Sequence, residues 1–494
     1  MNDSDVAVVG YGPVGALAAL LLAESGVRVR ILERSTELLD MPRAVGLDGE
    51  SVRAFQRIGL GDAVAALLQP ARERDEVCFT DSKRNRLFGL ELPDFGPMGW
   101  RDISFFDQPE LEAFLRAEVA RRPEIDVRLG CDVVALEQHG DHVRLQSTDG
   151  EFRASWVLGC DGAGSTVRRA VGIDWLSLGY DQDWLVIDVV QKPGARFPDV
   201  TMQVCDPERL TTYVCVKDPN RRWEFQLRPG ETREEMLRPE TIERLLEPWG
   251  APEHYTLRRA AVYQFHAATA AHWRRGRVFL AGDAAHQTPP FLGQGLNAGF
   301  RDAVNLGWKI PLVLRGVCGE ALLDSYEAER DAHARDLVEW AVAVGKLMET
   351  LAAREAGRPD PHPAVDPSAG YGQGRSAPPL RGGVLAMPES HPLRQPSLRG
   401  HGRLDDLLGQ GFAVLARKPD DLRMGPAARA VCDALDIRSV CLEGLELERG
   451  RFDDLFDAHP AVVLRPDRYV FGVVDGDRDL DRLLDELSNK LSLG

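Results

Sequence analysis

The sequence predicts an α/β protein built from a parallel-sheet domain, an antiparallel sheet interleaved with it, and a smaller C-terminal domain. Three observations carry that prediction. A strand, a helix and a second strand follow one another from the fifth residue. Residues 184–230 then change to short runs rich in β-branched and aromatic side chains. A proline- and glycine-rich stretch at 354–397 separates a last strand–helix–strand pattern from the rest.

The elements follow in order. Asp5 to Gly10 reads as a short buried strand, residues 13–25 as a helix rich in Ala and Leu, and the alternating Val27–Glu33 as a second strand. Together they form a βαβ unit. Helices are expected over 48–58 and 108–122. Val127–Leu129, Val133–Glu137 and His142–Ser147 are strand-like, and Asp149-Gly150 is a hairpin turn signal. Trp156–Gly159 is a buried strand ending in Cys160-Asp161-Gly162. Leu185–Val190, Thr212–Val216 and Trp223–Leu227 have the character of an antiparallel sheet. Val278–Leu280 is one more strand, leading into Ala281-Gly282-Asp283, and a long helical region covers about 296–350 with breaks near Pro311 and Gly316–Gly319. The 354–397 stretch lacks periodicity and is expected to be an extended or mobile crossing. Beyond it, Phe412–Leu415 and Ser439–Leu442 read as strands around a helix at Pro426–Leu435. Ala461–Val474 reads as a hairpin turning at Pro466-Asp467, and 479–491 as a final helix.

Composition narrows the function classes. The 494 residues are 44% hydrophobic and 28% charged, which supplies a core and excludes wholesale disorder. A net charge of -17 gives no chain-wide attraction for nucleic acid or anionic lipid. The early apolar run Val14–Ala23 is about half of the ~20 residues a membrane span needs. It lacks a basic flank, with Asp3, Asp5 and Glu24 around it, so no signal peptide is read and a cytoplasmic location is expected. None of the eight cysteines forms a C-x-x-C pair or stands in metal-ligand spacing with histidine. They read as reduced core residues, and no metal is expected.

The chemistry begins at Gly10-Tyr11-Gly12-Pro13-Val14-Gly15, between the first strand and the first helix. Gly10 permits the tight turn, Gly12 lets backbone approach a pyrophosphate, and Gly15 lets helix and strand pack closely. The phosphates then meet free N–H groups at a helix N-terminus. Glu33, with Arg34 beside it, ends the second strand, where a carboxylate can accept hydrogen bonds from a ribose diol. This context reads as dinucleotide binding in a Rossmann-like domain. Asp161-Gly162 and Gly282-Asp283 both stand at predicted strand C-termini, where ligands bind in such folds. The plain alternative for each is a turn with an Asp helix cap.

These three motifs, in this order, resemble the class A flavin-dependent aromatic hydroxylases with the para-hydroxybenzoate hydroxylase fold. The resemblance covers about residues 4–350. It implies FAD as cofactor, bound in its ADP part by Gly10, Gly12, Pro13, Val14, Gly15, Glu33 and Arg34. Asp161, Gly162 and Arg168 match the segment the family uses for both FAD and NAD(P)H, and Gly282 with Asp283 the part that meets the ribityl and pyrophosphate. Arg43 matches an arginine beside the flavin, and Gln108 a glutamine touching the cofactor. The Pro289–Asn297 segment matches the loop under the isoalloxazine, with Pro290, Gly293, Gly295, Leu296 and Asn297 as cofactor contacts. Its N–H groups at 295–297 would face the negative edge of the reduced flavin.

Within the family the sequence is similar to the 3-(3-hydroxyphenyl)propionate hydroxylases and related phenol and polyketide hydroxylases. Pro42–Asp48, Gly293–Asn297 with Arg301-Asp302, and Leu464–Tyr469 carry that likeness. It implies a C-terminal domain similar to thioredoxin. That domain lacks a C-x-x-C, so packing or oligomerisation is its expected role, with a homodimer as the assembly. The expected division is 1–180 with 266–353 for the FAD-binding domain, 72–105 contributing partly to the substrate domain, 181–265 for the substrate-binding sheet, 354–397 for the linker, and 398–494 for the C-terminal domain.

The resemblance implies hydroxylation of a phenolic or polyketide aromatic substrate with NADPH or NADH and O2, through a flavin C4a-hydroperoxide. The organic chemistry would belong mostly to the cofactor. His266 and His286 are candidates for a phenol-activating base by chemistry alone, against ordinary packed histidines. Trp184, Tyr213, Phe225, Gln226 and Pro289 are candidate pocket walls, against simple sheet core. Three alternatives keep the dinucleotide fold: a Baeyer–Villiger or epoxidising polyketide oxygenase, a non-enzymatic scaffold, and an NAD-dependent dehydrogenase. The paired Asp161 and Asp283 motifs weigh against the scaffold, and the 289–297 loop against the dehydrogenase.

Overall fold

A computed structural model describes residues 3–72, 75–363 and 377–493. Five strands run parallel in the order Val278–Leu280, Gly150–Gly159, Ser4–Val9, Val29–Glu33, Ile125–Leu129. The chain leaves Ser4–Val9 toward one edge and later returns on its other side. Strand order therefore reverses between Ser4–Val9 and Gly150–Gly159, and a crevice opens outside their C-terminal ends. The three sequence motifs follow three adjacent strands of this sheet, so they converge on that crevice.

Close helix packing holds the crevice in shape. The Pro13–Glu24 helix is almost wholly buried and packs on the long Gly295–Leu314 helix. Gly299 permits the approach, because a Cβ there would lie 2.6 Å from the Val14 side chain. Pro311 sits inside that helix rather than ending it, and the break falls between Leu314 and Ser325. The second long helix, Ser325–Glu355, runs on to the predicted crossing.

The second sheet is antiparallel over most of its width and larger than the sequence indicated. Its order is His286–Gln287, Tyr255–Ala270, Trp175–Gln191, Asn220–Gln226, Thr211–Val214, Thr201–Val204, Glu76–Thr80, Arg86–Glu91. Trp175–Gln191 has 17 residues and Tyr255–Ala270 has 16, and the two pair along most of their length. Polar and charged residues interrupt both strands, so no clean alternation marks them. One face of this sheet buries Tyr213, Trp223 and Phe197 beneath the Pro239–Leu246 helix. The other face looks toward the crevice.

The C-terminal sheet has the order Arg438–Cys441, Ala413–Ala416, Ala461–Leu464, Val470–Val473. The first pair is parallel and the others antiparallel, the thioredoxin-like arrangement. The Pro426–Leu435 and Leu480–Leu491 helices cover one face through Ala428, Leu435, Leu480 and Leu484. In the 354–397 stretch, residues 377–397 are extended but packed rather than mobile, with Leu380, Val384, Leu385 and Leu393 buried. Residues 364–376 of that stretch lie outside the described residues. Among the described residues no helix is long and apolar enough to cross a membrane.

Candidate active site

A single cavity of about 860 Å³ runs from the Gly10–Gly15 turn to the open face of the antiparallel sheet. At one end Gly10 takes φ +100°, and a Cβ there would lie 2.4 Å from the Cys160 carbonyl oxygen. Gly15 is closed in by the Gly10 carbonyl oxygen, 2.2 Å from where its Cβ would stand. Gly12 faces no atom within 4 Å. The glycines therefore divide as their spacing predicts: two for packing, one for open space in front of backbone. No side chain caps the helix that starts at Pro13, so its first-turn N–H groups face the cavity uncovered.

Glu33 is held at the rim. Its Oε2 accepts from the Tyr11 N–H at 2.7 Å and its Oε1 from the Ser35 N–H at 2.8 Å. Arg116 lies over the Tyr11 ring at 4.7 Å and, like Tyr11 and Arg34, lines the cavity. Neither Tyr11 nor Arg116 was singled out in the sequence. Their recognition needs the Gln108–Val119 helix placed beside the glycine turn.

The two aspartate motifs differ. Asp161 Oδ1 accepts from the Ser165 hydroxyl at 2.5 Å and Oδ2 from the Val167 N–H at 3.0 Å. Its carboxylate thus braces the start of the short Thr166–Ala170 helix, whose N-cap is Ser165, while Asp161 and Gly162 also line the cavity. Arg168 does not line the cavity. It is buried, donates to the Ala163 and Ala284 carbonyls at 3.2 and 3.3 Å, and stacks on Trp175. It ties the two aspartate loops together. Asp283 is exposed to the cavity and has no hydrogen bond or ion pair among the described residues. Gly282, at φ +60°, turns the chain so that this carboxylate points outward.

The loop under the far end is braced from behind. Asp302 is fully buried, and its Oδ2 accepts from the Gly282 N–H at 3.0 Å and meets His286 Nε2 at 2.8 Å. Arg330 Nε donates to its Oδ1 at 2.8 Å. Burial pushes the Asp302 carboxyl up, but His286 and Arg330 offset that and leave it below the usual range. His286 is thus a buried brace stacked on Trp273, and it does not line the cavity. Asn297 spends its side chain on the Asp48 N–H, the Ser51 hydroxyl and the Gly46 and Gly293 carbonyls. Pro290, Gly293, Gly295 and Leu296 line the cavity with it, and the helix from Gly295 has no side-chain cap. Gln108 is a bracket: its Oε1 accepts from the Ala44 N–H at 2.6 Å and its Nε2 donates to Glu112 at 2.6 Å. Arg43 lines the cavity, half exposed, with Glu112 3.9 Å away.

The expected pocket walls stand elsewhere. Tyr213 and Phe225 lie on the opposite face of the sheet, in its core. Strand alternation puts their neighbours Thr212 and Glu224 on the cavity side. Trp184 and Gln226 share the cavity face but lie beyond the cavity, both donating to Gln182 Oε1, at 3.1 and 2.9 Å. Pro289 is buried next to the loop without lining the cavity. His266 does line it, half exposed at the rim and paired with Asp181. Arg84 and Arg86 are engaged at the Pro248 carbonyl and Glu76, away from the cavity.

What lines the floor is a row that crosses the strands: Val186, Glu224, Thr212 and Gln203, each paired with the next. Beside it, Arg222 Nε donates to Asp188 at 2.7 Å, and Arg259 lies 2.7 Å from the other Asp188 oxygen. Arg222 also donates to the Pro42 and Arg43 carbonyls at 2.8 and 2.6 Å, which fixes that segment over the floor. Glu224 is buried, and burial raises its carboxyl to about 7 against the opposing pull of Arg222.

A glycine-turn cradle, an outward carboxylate without a protein partner and two uncapped helix starts fit the parts of FAD. Among the described residues the Asp283 carboxylate and the two helix starts have no side-chain partner. The fold and cavity define a nucleotide-dependent flavoprotein whose cofactor site continues into a small-molecule pocket. Comparison with known proteins then specifies the group. The FAD binding domain model matches residues 3–341, and the HcaD C-terminal domain model matches 394–490. A 3-(3-hydroxy-phenyl)propionate/3-hydroxycinnamic acid hydroxylase of Mycolicibacterium smegmatis is 34% identical, over 99% of this chain and 92% of that one. A probable NADH-specific resorcinol 4-hydroxylase of Rhodococcus jostii is 32% identical, over 98% and 94%. Aklavinone-11 hydroxylase, solved with FAD and aklavinone, superposes with a TM-score of 0.81 at 27% identity, over 100% of this chain and 99% of that one. The chain belongs to the FAD-binding family of class A flavin-dependent aromatic hydroxylases.

Proposed function

We propose that this protein hydroxylates a phenolic or polyketide aromatic ring, with FAD as cofactor and NAD(P)H and O2 as co-substrates. The observation that carries the reading is the continuity of the cavity: the dinucleotide cradle and the polar, half-apolar sheet floor are one space. When bound, FAD accepts a hydride from NAD(P)H and activates O2 for transfer of one oxygen atom to the ring.

The chain's own residues do the rest. Gly12 and the first-turn N–H groups after Pro13 receive the pyrophosphate, Glu33 the adenosine ribose, and Asp283 the hydroxyls of the ribityl chain. The N–H groups at the uncapped Gly295–Leu314 helix start would stabilise negative charge on the bound flavin. Val186, Val214, Phe265 and Phe291 give the substrate end apolar walls that exclude water. The need for NAD(P)H and the eight free cysteines support a cytoplasmic location.

The test is NAD(P)H consumption by the FAD-loaded protein with resorcinol, 3-(3-hydroxyphenyl)propionate and polyketide aromatics. Stimulation by one of them, with a product heavier by one oxygen, is the expected result. A protein that takes up no FAD would overturn the reading.

A further inference from the structure

Glu224 stands in the middle of the floor row, flanked across the strands by Val186 and Thr212. It is 4% exposed and lines the cavity. Its nearest cation, Arg222, is 3.8 Å away, beyond hydrogen-bond length, and already serves Asp188 and two backbone carbonyls. No described residue donates a hydrogen bond to the Glu224 carboxylate. Such a group, buried and unbonded, costs free energy unless a ligand completes it. Thr212 donates to Gln203 Oε1 at 2.6 Å, and Gln203 Nε2 donates to the Phe291 carbonyl at 3.3 Å. The row is thereby pinned to the loop at Pro290–Leu292. Two strand spacings, roughly 10 Å, separate Gln203 from Glu224 along it. One aromatic ring fits that interval.

We infer that Glu224 is the catalytic base of this hydroxylase, accepting the ring hydroxyl proton of a phenolic substrate seated on the floor row. The inference rests on the hydroxylase reading above and deepens it. In the step, the phenol O–H bond breaks, an O–H bond to a Glu224 carboxylate oxygen forms, and the electron pair stays on the ring oxygen. No oxidation or reduction accompanies the transfer, and the proton returns to the product oxygen on release. The ring gains the electron density that attack by an electrophilic oxygen requires.

The surroundings suit that task. The titratable groups around Glu224 are Arg222 on its own strand, Asp188 on Trp175–Gln191, and Arg259 and Tyr263 on Tyr255–Ala270. Arg222 and Arg259 both pair with Asp188, and Tyr263 accepts from Arg259 at 3.0 Å. The strand Thr201–Val204 and the 290–297 loop carry no titratable side chain, and the one in Thr211–Val214, Tyr213, lies on the opposite face of the sheet, where burial raises its phenol. Arg43, over the floor, has Glu112 as its ion-pair partner. A carboxyl poised near neutral pH matches the requirement for a general base at working pH.

The experiment compares FAD-loaded wild type with Glu224→Gln and Glu224→Asp, using resorcinol and 3-(3-hydroxyphenyl)propionate as probes. kcat/KM is followed against pH, and phenol binding against pH by perturbation of the flavin spectrum, which needs no turnover. Wild type is expected to gain kcat/KM through a transition near 7. Glu224→Gln should bind FAD, lose that transition and fall about 100-fold at neutral pH. Its rate should recover as the phenol begins to ionise in solution. Glu224→Asp should keep a transition at reduced rate, and it decides the matter if the glutamine variant fails to hold FAD. A glutamine variant within about 3-fold of wild type, with the same transition, overturns the role of Glu224 and leaves the hydroxylase reading standing. A wild type stimulated by neither phenol overturns the hydroxylase reading for these substrates, and this inference with it.

Discussion

Arg465 meets Glu329 edge to edge, Nη1 donating to Oε1 at 3.0 Å and Nη2 to Oε2 at 2.8 Å, with neither side chain reached by solvent. The pair joins the C-terminal hairpin to the second long helix. Lys309 Nζ at 2.8 Å, Asn305 Nδ2 at 2.7 Å and the Val384 N–H at 2.8 Å complete the carboxylate. The neighbouring residues add to the joint: Tyr469 donates to Glu50 at 3.1 Å, Arg57 donates to the Pro466 carbonyl at 2.9 Å, and Arg468 holds Asp405, whose carboxylate accepts from Arg53 at 2.7 Å. The Leu464–Tyr469 stretch, which the sequence offered only as a likeness, is thus a clamp between the C-terminal domain and the cofactor domain. Replacing Glu329 by Gln leaves two buried cations short of charge, and breaking such a set costs about 3–5 kcal/mol. Glu329→Gln should lower the thermal midpoint markedly in a calorimetric scan. FAD content at low temperature should stay near stoichiometric, because no cofactor contact is lost.

The same cluster gives an acid limit. Burial pushes the Glu329 carboxyl up, but Arg465 and Lys309 outweigh it and hold it at about 2. Its folded value lies below the unfolded one. The stability it contributes is therefore complete above the ordinary carboxylate range and drains away as pH falls toward about 2. Denaturant midpoints of wild type should fall across that interval. Glu329→Gln should show a shallower fall there, and equal slopes would place the acid sensitivity elsewhere.

The cradle glycines separate folding from cofactor binding. Gly12 has φ -73° and open space before it, so alanine fits the backbone and its methyl projects into the cavity. Gly12→Ala should keep the melting temperature of the apoprotein and weaken FAD about 10–100-fold, or about 1.4–2.7 kcal/mol, by fluorescence titration. Gly15→Ala meets the Gly10 carbonyl oxygen and should lower the yield of folded protein itself.

The cofactor half of the site was legible because its chemistry is written in short local segments at strand ends. Gly10, Gly12, Glu33, Gly282 and Asp283 each stand within a few residues of a strand-end turn, and the fold brings them to one cavity. The floor was not legible. It is assembled from single residues on four strands, and its composition depends on register, which sequence alternation over Trp175–Gln191 and Tyr255–Ala270 does not reveal. The aromatic residues Tyr213 and Phe225 attracted the pocket assignment, yet one place along each strand decides the face, and they fell on the core side. His286 was read from its chemistry alone, and only the fold shows its partner Asp302.

Asp283 offers the cleanest test of the cofactor assignment. Among the described residues its carboxylate has no partner, so removing it breaks no contact of the folded protein. Hydrogen bonds from ribityl hydroxyls to a carboxylate are charge-assisted, worth about 1.5–3 kcal/mol. Asp283→Ala should therefore raise the FAD dissociation constant about 10–150-fold, while the apoprotein melts as wild type does. Asp161→Ala should do the opposite, since that carboxylate holds the N-cap Ser165 and the Val167 N–H at the start of the Thr166–Ala170 helix: stability falls first, and cofactor affinity follows. If Asp283→Ala bound FAD as wild type does, the ribityl chain would have to take its acceptor from another part of the cavity.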